Sequence, residues 1–118
     1  MTETFEQLEA KVIAWAKARQ IIPNSSAKAQ LIKLLEERGE AITALYDLNY
    51  AGVMLDGVGF EDARRDLVDA FGDMLVCVIN AAALADVSLT EALAHAYDQI
   101  KDRKGTLGPD GIFYKDQP

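Results

Sequence analysis

The chain has 118 residues and a formal net charge of −7 at pH 7, with a sequence pI near 4.6. That length fits one ordinary domain, and the acidic balance excludes non-specific binding to the phosphate backbones of nucleic acids. Half of the residues are apolar, which excludes a disordered chain. The single cysteine, Cys77, excludes an internal disulfide and fits a reducing cytoplasm.

The first residues, MTETFEQLEAK, lack the charged and apolar regions of a signal peptide. The first helix is predicted from about Thr4 to Arg19. Phe5, Leu8, Val12 and Trp15 recur at spacings of three and four and make one apolar face. Pro23 disfavours helix at Ile22, and Asn24, Ser25 or Ser26 can cap the next helix.

The second helix is predicted from about Ala27 to Tyr50. Leu31, Leu34, Leu35, Ile42, Leu45 and Leu48 form a wide apolar stripe expected to face the core. Lys33, Glu36, Glu37, Glu40 and Asp47 share the other side, within roughly 100° of arc. AGVMLDGVGF then has three glycines and no helical period, and reads as a loop.

The third helix is predicted from about Glu61 to Ala85. Met74 to Ala85 is the longest apolar stretch. It is shorter than the roughly 20 residues of a membrane span, so it reads as a buried central helix and no membrane partner is expected. Ser88 with Glu91 three residues later signals the start of a fourth helix, predicted to reach about Lys104. Lys101, Arg103 and Lys104 then crowd its last turn, and Gly105 suits the position just past its end. Pro109-Asp110-Gly111 is a turn signal, so the tail reads as a small hairpin or extended arm. The fold class is therefore all-α: one domain over residues 1–118, a four-helix antiparallel arrangement with a short C-terminal arm.

The third helix carries the chemical anomaly. Asp66, Asp69, Asp73 and Asn80 lie within about 60° of one another on the helical wheel. A carboxylate on an otherwise apolar helix is expected to be paired, hydrogen-bonded or bound to metal. On the second helix, Glu37 and Glu40 stand one turn apart, with Glu36 beside them and Lys33 a turn earlier. Packed together, Glu37, Glu40, Asp69 and Asp73 would repel strongly without a cation. Mg²⁺ prefers oxygen ligands and shares its coordination with water and substrate phosphates. An ordinary solvated face paired by Lys33 and Arg38 is the competing reading of the glutamates.

KLLEERGEA, followed by a helix carrying DAFGDMLVCVIN and the ending YDQIKDRKGTLGPDGIFYK, resembles the MazG-like nucleotide pyrophosphohydrolases from about Trp15 through Tyr114. The resemblance implies a magnesium-dependent cut between the α- and β-phosphates of a nucleoside triphosphate, with Mn²⁺ able to substitute. It also implies a homodimer or dimer of dimers with sites near subunit junctions. Glu37 and Glu40 match the family's first metal-binding pair, and Asp73 matches the final acid of the second motif. The family's second glutamate would fall at position 70, where this chain has Ala70. Asp69 is the preferred fourth ligand, with Asp66 the other substitute.

In that chemistry metal ions neutralise phosphate charge, carboxylates fix the ions, and Glu36 or Glu37 orients or deprotonates water. Lys33, Lys101, Arg103 and Lys104 are candidates to hold phosphates. Asn80 is a substrate-binding candidate. Trp15, Tyr97, Phe113 and Tyr114 could stack on a base, although Trp15 sits on the apolar face of its helix, where a core role is expected. His95, alone near Glu91, reads as a surface or interface residue. Two other readings remain open: a non-catalytic helical interaction module, and a related phosphoribosyl-nucleotide pyrophosphohydrolase.

Overall fold

A computed structural model describes residues 2–117. The chain is all-α apart from one small hairpin, as the sequence predicts. It divides between Asp86 and Val87 into two compact units.

The first unit holds α1 (Phe5–Ala18), α2 (Ile21–Asn24), α3 (Ala27–Val53) and α4 (Gly57–Leu84). Thr4 starts α1 through a reciprocal capping box with Gln7. The single turn of α2 contains a break at Ile22, just before Pro23. Of the three candidate caps for α3, Ser26 performs the role, its hydroxyl accepting from the Ala29 N–H at 3.0 Å.

The predicted loop over residues 51–60 is mostly helix. α3 runs on to Val53 and α4 begins at Gly57, leaving Met54, Leu55 and Asp56 as the whole connection. The glycines mislead because Gly52, Gly57 and Gly59 fall in terminal turns, where their entropic cost is offset by capping. The Asp56 carboxylate accepts from the Gly59 N–H at 3.0 Å. A connection this short folds α4 back antiparallel along α3, and this hairpin is the main contact of the unit.

The face that α3 turns toward α4 is also not the one predicted. Glu37, Ala41, Ala44 and Ala51 are buried, while Leu31, Leu35, Ile42 and Leu45 are exposed. On α4 the buried residues include Ala63, Ala70, Cys77, Ile79, Asn80 and Ala81. Small alanines let the two backbones approach closely, and that seam wins over the leucine stripe. Met74 to Ala85 is the most buried part of α4, as expected, with Cys77, Ile79, Asn80 and Ala81 buried and only Leu75 and Ala85 exposed. α4 as a whole is long and apolar enough, by length and composition alone, to cross a membrane. Its Asp66, Asp69 and Asp73 instead line an open acidic cavity beside α3.

The second unit holds α5 (Leu89–Ile100), β1 (Gly105–Leu107) and β2 (Phe113–Lys115). Ser88 caps α5, accepting from the Glu91 N–H at 3.2 Å. α5 stops four residues short of the predicted end. Lys101 is its C-cap, Arg103 and Lys104 lie beyond it, and Gly105 opens β1. The strands pair antiparallel, Gly105 with Lys115 and Leu107 with Phe113. Gly111 has φ of +79° in the turn between them, a conformation glycine adopts without strain. Asp110 accepts from the Ile112 N–H and the Tyr114 hydroxyl. That pair holds the Asp110 carboxyl below its ordinary range and pushes the Tyr114 phenol up.

Candidate metal centre and adjoining cavities

Glu37 and Glu40 project from α3, and Asp73 from α4. One carboxylate oxygen from each lies within 4.8 Å of the others. Three anionic groups so close repel unless a proton or cation intervenes. Contact with the Glu37 carboxyl, and that group's charge, push the Glu40 carboxyl above its ordinary value. Glu37 is only 6% exposed, and its Oε2 is buried without a hydrogen-bond partner. A buried carboxylate oxygen without a partner is costly, and a divalent cation with oxygen preference would satisfy it. The donor set therefore fits Mg²⁺ or Mn²⁺.

Beside this group lies a cavity of about 590 Å³ whose walls include Glu36, Glu40, Thr43, Asp47, Asp66, Asp69 and Asp73. Asp69, the fourth ligand expected from the sequence, thus shares the cavity with the other carboxylates but stands outside the group of three. Ala70 lines the same cavity, so a longer side chain at that position would enter the acidic site. Asp66, Asp69 and Asp73 are exposed. Of the predicted polar stripe only Asn80 is buried.

Lys33 binds the outer side of the glutamates, with its ammonium 3.0 Å from Glu36 and 3.5 Å from Glu37. The Glu36 hydrogen bond is the main cause of its raised pKa. The solvated pairing that competes with a metal site therefore exists for Lys33, while Arg38 makes no ion pair among the described residues. Neither Glu40 nor Asp73 pairs with a cation among the described residues.

A second cavity, of about 540 Å³, is walled by Trp15, Gln30, Lys33, Glu37, Asp73, Val76, Cys77 and Asn80, among others. Asn80 is 2% exposed and its Oδ1 has no partner. Trp15 is 47% exposed, which overturns the core role expected for it: it flanks the cavity instead. Burial, then the Glu37 charge, pushes the Cys77 thiol up, so it is an inert wall.

In the second unit, Lys101 pairs with Asp98 at 3.2 Å. Arg103 and Lys104 line a surface hollow with Gln99, Asp102, Lys115 and Asp116. His95 and Tyr97 are exposed, as are Phe113 and Tyr114.

Gln30 and Thr43 are site residues that sequence reasoning misses. The signal is present: Gln30, Lys33, Glu37, Glu40, Thr43 and Asp47 recur every three or four residues along one side of α3.

No protein-family model and no curated protein sequence matches the chain. Among solved structures, the MazG-like pyrophosphohydrolase of cyanophage S-2L, bound to dGDP and three catalytic Mn²⁺ ions per active site, superposes with a TM-score of 0.64. The match covers 98% of this chain and 100% of that one, at 22% identity. The fold implied by the acidic helices is thus the fold observed: the chain folds as that MazG-like protein does.

Proposed function

We propose that the chain is a metal-dependent nucleoside triphosphate pyrophosphohydrolase, releasing pyrophosphate and a nucleoside monophosphate. The observation that carries the reading is the convergence of Glu37, Glu40 and Asp73 between α3 and α4. The pyrophosphohydrolase with the same fold, which holds dGDP and Mn²⁺, supports it. Divalent cations held by Glu37, Glu40 and Asp73, with Asp69 completing the set, would neutralise phosphate charge and acidify water.

The chain's own residues supply the rest. Glu36 is exposed at the rim of the acidic cavity and is not needed by the group of three, so it is the better placed general base. It takes the proton of the attacking water as oxygen adds to the α-phosphorus and the bond to the bridging oxygen breaks. Lys33, already at the edge of the cluster, turns from Glu36 to the phosphates. The functional molecule is a homodimer or dimer of dimers.

The test is product analysis with purified protein, Mg²⁺ and a panel of nucleoside triphosphates. Pyrophosphate is expected from at least one of them, abolished by EDTA and restored by Mn²⁺. A nucleoside diphosphate with orthophosphate would reject the cleavage position, and an inert protein would favour the interaction module. Hydrolysis of phosphoribosyl nucleotides alone would move the activity to that related class.

A further inference from the structure

We propose that Lys33 is a built-in counter-ion of the carboxylate group, which weakens cation binding to the free protein and lifts that restraint when a polyphosphate draws the ammonium away. This rests on the nucleotide-hydrolysing reading and adds to it a coupling between metal and substrate.

The wiring is local. Lys33, Glu36 and Glu37 stand three and four residues apart on α3, the spacing at which helical side chains meet. The ammonium lies 3.0 Å from Glu36 Oε2 and 3.5 Å from Glu37 Oε1. Among the described residues no other cation pairs with Glu36, Glu37, Glu40 or Asp73. Glu37 is therefore divided: Oε1 faces the ammonium, while Oε2 is buried without a partner. One positive charge stands against several negative ones, and a divalent ion drawn to Glu37, Glu40 and Asp73 has to approach it. The charge of Lys33 also reaches past the carboxylates it touches. At Glu40 the upward push from Glu37 is opposed by it.

The contact is built to open. A lysine placed before its glutamate along a helix is the weaker order of the pair. The Lys33 and Glu36 side chains are both more than half exposed, where water screens an ion pair and leaves it worth little. Lys33 borders the second cavity together with Glu37 and Asp73, so its ammonium has room to leave the carboxylates without leaving the site. A polyphosphate offers it more negative charge and more acceptor oxygens than a carboxylate does. Once the ammonium turns there, a cation at the carboxylates loses a nearby like charge. Metal and polyphosphate each strengthen the binding of the other through Lys33, in addition to any direct contact between them. A protein wired in this way holds metal weakly until metal and triphosphate arrive together.

The test measures Mn²⁺ binding to the whole chain through loss of the free ion's paramagnetic resonance signal, with no nucleotide present. Lys33→Met keeps side-chain length and helix propensity. It is expected to bind Mn²⁺ about tenfold tighter than the wild type, the scale of one like charge close to a divalent ion in screened solvent. Lys33→Arg keeps the charge and should stay near the wild-type affinity. Arg38→Met removes a charge from the same helix without touching the carboxylates, and should stay there too. Inorganic tripolyphosphate supplies the second arm: at saturating Mn²⁺ it should raise the melting temperature of the wild type more than that of Lys33→Met. Unchanged or weaker Mn²⁺ binding by Lys33→Met would overturn the proposal, because Lys33 would then be a surface pair or a brace for Glu37. An equal gain from Arg38→Met would overturn it in favour of net charge alone, and equal tripolyphosphate shifts would overturn the coupling. Circular dichroism checks the fold, and Lys33→Gln takes the place of Lys33→Met where that variant does not fold. Pyrophosphate release by a protein whose Mn²⁺ affinity Lys33→Met leaves unchanged would reject this device and leave the hydrolase standing. Tighter Mn²⁺ binding by Lys33→Met in a protein that releases no pyrophosphate would do the reverse.

Discussion

Glu40 and Asp73 separate a metal centre from a structural ion pair. Lys33 reaches Glu36 and Glu37 but neither of these two. Glu40→Gln or Asp73→Asn therefore strands no cation, and each removes one charge from a mutually repelling group. Both variants are expected to lose pyrophosphate release by at least about a hundredfold, the scale of losing one electrostatic contact at a reacting centre. In EDTA they should melt at or above the wild-type temperature. Thermal melts in EDTA and in millimolar Mg²⁺ check this, and both variants melting well below wild type in EDTA would refute the cluster. A pH dependence arises from the same group. The folded Glu40 carboxyl is raised above its ordinary value by Glu37, so its contribution is present at acid pH and is lost as pH rises through the folded value. The apo protein should gain stability as pH falls from neutral toward the carboxyl range. Glu40→Gln should flatten that slope in a pH series of EDTA melts.

The helical elements are legible because spacing and caps are local: Thr4, Ser26 and Ser88 each start the helix that their position announces. What local pattern cannot show is which face of α3 meets α4. Leucines outrank alanines in hydrophobicity, so the pattern points the Leu31–Leu35–Ile42 stripe inward. The structure instead packs Ala41, Ala44 and Ala51 against α4 and thereby brings Glu37 inside. The acidic pairing of the two helices is readable, but the burial of each acid depends on that choice of seam. Ala44→Leu tests it: overpacking a close helical seam should cost about 1–3 kcal/mol, visible as a lower urea midpoint. At the short connection, Asp56→Ala should cost about 1 kcal/mol by removing the cap on Gly59. The composition of residues 51–60 hides that cap, because an aspartate among glycines looks like a loop until its carboxylate is seen to start α4.

At the scale of the molecule, the leucine stripe left outside α3 has to be accounted for. Leu31, Leu35, Ile42 and Leu45 are all exposed on one helix, about a quarter of a turn or more from the middle of the alanine seam. Monomeric soluble proteins rarely leave so continuous an apolar strip in water. A second copy of the chain is the occupant that the family resemblance implies. Burying one leucine is worth about 1.5–3 kcal/mol, so covering such a stripe on two chains is enough to hold them together at micromolar concentration. Sedimentation is expected to show a dimer or larger species there. Leu31→Lys combined with Leu35→Lys should shift that species toward monomer, and its melting temperature should become independent of protein concentration. Circular dichroism shows whether the hairpin of α3 and α4 survives, as it should, since neither leucine lies on the seam. A wild-type monomer at micromolar concentration would refute the assembly. A double variant that sediments like the wild type would place the interface on another face of the molecule.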